Sequence, residues 1–314
     1  PVINPAPYQG SVSQTILIPA DCRAGEIFNV YLRNWNKCNV YPTEDPVWTQ
    51  IQILVIAKPV AAAGADRSIC LGSSTTLGAA AVPGSTYSWT SVPAGFTSSL
   101  ANPTVSPTVN TTYTVTETAT NGCVNSNSVV VTIDPVSVGG TIAGSTTVCS
   151  GTNTTTLTLS GYIGTITKWQ YSTNNWTTAT DITNNTNTYT PVNLTATTKY
   201  RAVIQSGVCG AVNSGDATVT VNPLPTLTGA AQSATVCDGT PATINLTGMR
   251  ASRTHTVSYS INGVAQTPVA GVISNASGAA SFSTIALTYA NNGQTLRITG
   301  LTITSVTPNC SQSF

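Results

Sequence analysis

Thr111-Thr112-Tyr113-Thr114-Val115-Thr116-Glu117-Thr118-Ala119 alternates with period two. Tyr113, Val115 and Glu117 share one face, and four threonines occupy the other. That is the pattern of a strand with one buried and one wet side. Asn121-Gly122 supplies a turn, Cys123 follows it, and Val129–Ile133 reads as a returning strand. Upstream, Ser74–Ala81 reads as a strand, and Tyr87 and Trp89 alternate onto one face of the next.

The same grammar recurs further along. One stretch places Leu157/Leu159, Trp169/Tyr171, Tyr200/Ala202/Ile204 and Ala217/Val219/Val221 inward. The next has Ile244/Leu246, then His255 in line with Val257/Tyr259/Ile261, then Leu296/Ile298. Asn262-Gly263 is a hairpin turn signal. Three copies of [IV]-C-x-G mark the period: Ile69-Cys70-Leu71-Gly72, Val148-Cys149-Ser150-Gly151 and Val236-Cys237-Asp238-Gly239. A repeated motif at a near-constant interval means an array of related modules. Each strongly β-branched run stops at a proline pair, Lys58-Pro59, Asp134-Pro135 or Asn222-Pro223, and proline ends a ladder. The expected fold class is therefore all-β: tandem Ig-like β-sandwich modules in an extended rod, one disulfide per module. The expected divisions are 1–58, a partial β module; 59–134 and 135–222, whole sandwiches; and 223–314, a sandwich lacking its last strand. An excerpt of a longer array is the expectation for such partial ends, with strand supply by another chain as the alternative.

Eight cysteines are present: Cys22, Cys38, Cys70, Cys123, Cys149, Cys209, Cys237 and Cys310. No C-x-x-C occurs and there is a single histidine, so zinc is a poor reading. Disulfides between sequence neighbours, 22–38, 70–123, 149–209 and 237–310, are the economical connectivity. They fit an oxidising exterior.

Composition narrows the function. Only 7% of the residues are charged, with 11 Lys+Arg against 10 Asp+Glu. No basic surface exists to neutralise phosphates, and no apolar run is long enough for a membrane helix. Nucleic-acid binding and membrane insertion are not expected. With so few carboxylates and one histidine, catalytic residues and cofactors are not expected either. His255 reads as structural. Asp21, Glu26, Glu44 and Asp45 form no calcium-loop motif, so no metal site is expected. Glu117 reads as a carboxylate near the open end of its sandwich, with a Lys58–Asn127 crosslink as the remote alternative. The threonine ladders read first as β-formers on wet faces, with glycan attachment or surface binding as alternatives. Trp176, in the polar stretch Asn174-Asn175-Trp176-Thr177, is the candidate ligand contact, and anchoring of its loop is the competing reading.

Two strings carry a resemblance. Arg23-Ala-Gly-Glu-Ile-Phe-Asn-Val-Tyr-Leu-Arg-Asn-Trp-Asn-Lys-Cys38-Asn and Thr111-Thr-Tyr-Thr-Val-Thr-Glu-Thr-Ala-Thr-Asn-Gly-Cys123 resemble the Ig-like and PKD-like repeats of giant secreted cell-surface adhesins of Bacteroidota. Those include gliding-motility adhesins exported by type IX secretion. The resemblance implies extracellular display at the cell surface, adhesion, and repeat number as a control of length. It implies no catalytic residue. Surface glycans, abiotic surfaces and other modules of the same long chain are the implied partners. The functional expectation is a structural or adhesive stalk segment. The alternatives are spacer or carbohydrate-binding modules of a large secreted hydrolase, or a fibre subunit assembling by strand donation.

Overall fold

The computed structural model describes residues 24–33 and 48–314, and the chain divides into two compact units, 1–133 and 134–314. In the first unit, Ile27–Arg33 pairs antiparallel with Trp48–Leu54, Ile27 opposite Leu54 and Arg33 opposite Trp48. A sandwich follows. One sheet runs in the order Arg67–Cys70, Val124–Asp134, Thr111–Thr118, Thr86–Val92. The facing sheet is the short pair Thr75–Thr76 and Thr104–Val105. Strand Thr111–Thr118 alternates buried and half-buried along its whole length. Its inward residues join Ala63, Leu77, Trp89, Val129 and Val131 in one core. The expected strand Ser74–Ala81 shrinks to two residues. Gly78 folds its backbone onto Ala101, where a Cβ would stand 2.1 Å from the Ala101 carbonyl oxygen, so the chain leaves the ladder there.

The second unit holds two further sandwiches. In the sandwich of the third module, 135–222 (the third sandwich below, as that of 223–314 is the fourth), one sheet runs Thr146–Cys149, Ala217–Asn222, Thr198–Gln205, Thr165–Ser172, Thr180–Ile182, with Val212–Asn213 also on Thr198–Gln205. Its partner sheet is Thr188–Tyr189, Leu157–Ser160, Thr141–Ala143. The core gathers Leu157, Leu159, Trp169, Tyr200, Ala202, Ile204, Ala217 and Val219. Trp169 is fully buried and donates its indole N–H to the Thr186 carbonyl at 3.0 Å. Tyr189 packs between Trp169 and Tyr200, and burial pushes the Tyr200 phenol up to about 12. Each such side chain taken from water contributes roughly 1.5–3 kcal/mol.

In the fourth sandwich Gly229–Gln232, Thr240–Thr247 and Ala280–Leu287 form one sheet. Val264–Ala265, Thr254–Ile261, Leu296–Ile303 and Cys310–Ser313 form the other, with Val269–Ile273 also on Thr254–Ile261. Asn262-Gly263 makes a two-residue hairpin between Ile261 and Val264, both central residues at positive φ. That is the turn whose twist matches the strands it joins. Among the described residues the only helical element is the single turn Tyr289–Asn291.

Two of the motif cysteines end short strands, Cys70 in Arg67–Cys70 and Cys149 in Thr146–Cys149. Thr146–Cys149 runs parallel to Ala217–Asn222, with Cys149 opposite Asn222. The first-edge strand of the module is thereby laid beside its last.

Candidate functional site

Among the described residues, two places gather polar and sulfur chemistry. The first is the joint at Asn222-Pro223. Cys149 stands beside Asn222, at the pole where the third sandwich ends. Across the joint, the loop before Cys310 presents the Thr307 carbonyl, which accepts a hydrogen bond from the Asn222 side-chain amide at 3.1 Å. Cys149 and Cys310 are disulfide-bonded there, Cα atoms 5.5 Å apart and 161 residues apart in sequence. The bridge therefore joins two sandwiches.

This corrects the expected pairs 149–209 and 237–310. Cys209 is buried at the opposite pole of the third sandwich, its sulfur 3.2 Å from the Pro135 carbonyl. The strand Thr198–Gln205 separates the two poles; eight residues of strand span roughly 25 Å. A disulfide needs Cα atoms within about 7 Å. In the fourth sandwich Cys310 lies opposite Ile303, whereas Cys237 lies with Leu296 at the far end of the same strand. Cys70 and Cys209 are also disulfide-bonded residues, and Cys123 and Cys237 are free thiols. The pair 70–123 is therefore not formed. Cys22 and Cys38 lie outside the described residues.

The other joints share the device. The Asp134 carboxylate accepts the Val208 N–H at 2.9 Å, immediately before Cys209. Asn121, two residues before Cys123, donates its amide to the Ala57 carbonyl at 3.4 Å. In each case the loop that carries a module's second cysteine rests on the linker at the start of that module.

The second place is the outer face of the third sandwich. The segment 135–222 contains five charged residues, Lys168, Asp181, Lys199, Arg201 and Asp216. All five belong to one connected network. Lys168 Nζ reaches Asp181 at 2.7 Å, and Gln170 donates to the same carboxylate at 2.7 Å. These bonds hold the Asp181 carboxyl below its usual range. Arg201 Nε donates to Gln170 Oε1 at 2.9 Å, and its guanidinium lies 4.1 Å over the Trp176 ring. The Trp176 indole N–H donates to Asp216 at 2.7 Å, and Lys199 lies 3.7 Å from that carboxylate. Asn175 and Trp176 both take positive φ, and the Trp176 amide is bound by the Ser172 hydroxyl at 2.9 Å. The indole is therefore held in place, with a cation on one face. The sequence singled out Trp176 and missed its partners, which lie on neighbouring strands. Their outward parity was the available signal.

The remaining candidates are quickly placed. His255 is fully buried beside Val257 and Tyr259, and neither ring nitrogen has a hydrogen-bond partner. Glu117 is 2% exposed, with the Tyr87 hydroxyl 3.5 Å from one oxygen. Asn127 spends its amide on the Ala61 carbonyl at 3.1 Å rather than on Lys58. The outward threonines pair across the ladder, Thr114 with Ser128 and Thr116 with Ser126, both at 2.9 Å. Asp21, Glu44 and Asp45 lie outside the described residues, and among the described residues no cluster of three or more His, Cys, Asp or Glu could hold a metal ion. Likewise, no described helix is long and apolar enough to cross a membrane.

With this geometry in hand, comparison with known proteins is direct. Residues 57–135 match the family model of the CHU_C-associated Ig-like domain. These are Ig-like sandwiches. Residues 138–223 match a domain of unknown function, DUF8696. No curated protein sequence matches the chain. Among solved structures, the I67–I69 fragment of the titin I-band is 14% identical, covers 82% of this chain and 98% of its own, and has a TM-score of 0.48. A Ca2+-stabilized adhesin of an Antarctic bacterium that binds ice is 14% identical over 91% of this chain and 81% of its own, at a TM-score of 0.36. A 1.5-MDa bacterial ice-binding adhesin is 13% identical over 78% and 92%, at 0.32.

Proposed function

We propose that this chain is a load-bearing stalk segment of a secreted cell-surface adhesin or filament, displayed outside the cell. The observation that carries this reading is the Cys149–Cys310 bridge across a module joint. A covalent tie between neighbouring sandwiches limits how far either can be pulled out while the thiols stay oxidised. It also supports an oxidising compartment for the chain. The resemblance of two sequence strings to Bacteroidota adhesin repeats supports the same reading, and with it gliding motility and type IX export as the setting. The low charge suits contact with glycan-covered or inert surfaces.

Single-molecule stretching of the intact chain tests it. With the bridge intact, the 161 residues between the cysteines stay out of the extended length. Opening this bond should by itself release roughly 530–580 Å of additional extension at 3.3–3.6 Å per residue. Equal extension before and after reduction would remove the mechanical reading.

A second reading rests on the network around Trp176. A charge-poor module that links all its ions into one network around an indole offers a polar, partly stacked surface of the kind that contacts sugar rings. Saturable binding on a glycan array, lost in Trp176→Ala with the fold intact, would favour a carbohydrate-binding module of a large secreted hydrolase.

A further inference from the structure

His255 stands in a row of side chains that crosses its sheet to the module joint. Val272, His255 and Ile303 lie opposite one another on successive strands, and Ile303 lies opposite Cys310. All four are buried, none more than 6% exposed. His255 is thus two strand spacings, roughly 10 Å, from the half-cystine that ties the joint. The residue before it holds the loop that reaches the joint. Thr304 donates its N–H to the Thr254 carbonyl at 2.9 Å, and Thr254 donates its own to the Ser305 hydroxyl at 3.2 Å. The same loop continues to Thr307, whose carbonyl binds the Asn222 amide, and to Asn309, whose carbonyl lies 3.5 Å from the Cys149 sulfur.

Nothing around His255 is built to hold a positive charge. Residues 223–314 contain a single carboxylate, Asp238, which accepts the Tyr289 N–H at 2.6 Å in the neighbourhood of Ile261 and Leu296. Ile261 ends the strand that His255 begins, roughly 20 Å away. The cations of these residues are Arg250 and Arg253, just before the strand, and Arg297, opposite Ser260 near its other end. Val269–Ile273, Cys310–Ser313 and all three strands of the facing sheet carry no charged residue, nor do Thr146–Cys149 and Ala217–Asn222 across the joint. The Tyr259 phenol, inward on the same strand, accepts the Ile285 N–H. A protonated imidazole here is a buried cation without a partner, relieved only when water enters. We propose that His255 is an acid-sensitive latch on this joint: proton uptake opens the Thr254 end of the fourth sandwich and frees loop 304–309 from Asn222 and Cys149. The Cys149–Cys310 bond then faces water, so acid loosens the joint while its covalent tie is still intact. The inference does not depend on the stalk reading, because the joint can open whether or not the chain bears load.

Amide hydrogen exchange of the intact oxidised chain at pH 7.5 and pH 5.5 tests it, each rate taken relative to unstructured peptide at the same pH. A hydrated imidazole takes up its proton near pH 6.5, so the opened end should be about tenfold more populated at pH 5.5. Protection of the Thr254 and Thr304 amides should fall by about that factor. Protection of the Asn262 amide, bonded to Thr295 at the other end, should not change, because it opens without uncovering His255. In His255→Leu the pH effect should vanish. Reduction by tris(2-carboxyethyl)phosphine, which takes the two sulfurs of the bond to thiols and leaves as the phosphine oxide, gives a second readout. The rate for Cys149–Cys310 in the unmodified chain, divided by that in His255→Leu, should rise about tenfold from pH 7.5 to pH 5.5, the pH dependence of the reagent cancelling in the ratio. Equal protection at both pH values, an equal fall at Asn262, a pH effect that persists in the variant, or a constant ratio of reduction rates overturns the proposal.

Discussion

His255 occupies a site made for a hydrocarbon. It is fully buried, both ring nitrogens lack hydrogen-bond partners, and loss of hydration holds its pKa below the usual 6.5. The depressed pKa means that the unfolded chain takes up the proton first. The stabilisation is therefore complete above about pH 6.5 and declines as pH falls toward the lowered native value. Thermal melts of the chain at pH 7.5 and at pH 5.5 should show the fourth sandwich melting earlier at the lower pH. His255→Leu should remove that difference and leave the Tm at pH 7.5 unchanged or higher, since an unpaired polar group is lost. Trp176 obeys the opposite logic, because its value lies in its partners. Trp176→Ala should cost about 1–2 kcal/mol in chemical denaturation, from the Arg201 contact and the Asp216 bond. Trp176→Phe should recover the ring contact alone. At this scale the sequence was informative wherever alternation decides. Tyr113, Trp89, Trp169 and His255 point inward as their parity requires. The network around Trp176 was not legible, since parity places Lys168, Arg201 and Asp216 outside without saying which strands are neighbours.

Among the elements, turns are where backbone conformation is most exacting. Gly263 at φ +82° closes the hairpin in open space, so Gly263→Ala meets only the left-handed penalty, about 1 kcal/mol. Gly164 at φ +120° is different. A Cβ there would stand 2.7 Å from the Gln205 backbone, on top of an unfavourable conformation. Gly164→Ala should lower the Tm of the third sandwich several degrees more than Gly263→Ala lowers that of the fourth, as calorimetry of the two variants would show. Strand existence was readable from the period-two runs, and the Asn262-Gly263 hairpin from its two residues. Thr146–Cys149 and Arg67–Cys70 were not read as strands. They are four residues long, too short for alternation to show, and they exist because a neighbouring strand offers an unpaired edge.

For the molecule as a whole, the cysteine motif revealed the repeat but misled on connectivity. Proximity in sequence favours closing the shorter loop. The third sandwich defeats this by sending its two cysteines to opposite poles, Cys149 beside Asn222 and Cys209 beside Pro135. Cys149→Ser or Cys310→Ser should destabilise the second unit by up to about 5 kcal/mol in the chain-entropy treatment, less where strain intervenes. Reduction of the unmodified chain should give at least this shift, because it also opens the bond at Cys209, and reduction of either variant should add nothing from the Cys149–Cys310 bond.

The parallel pairing of Thr146–Cys149 with Ala217–Asn222 determines how the third sandwich responds to tension. Once the Cys149–Cys310 bond is opened, the chain is pulled in near one strand and out from the other, so tension along the polypeptide slides these neighbours past each other lengthwise. All the cross-links of that ladder are then strained together rather than parted one after another, as in peeling a hairpin. A domain wired this way holds until the whole patch gives at once, which makes it a clamp rather than a zipper.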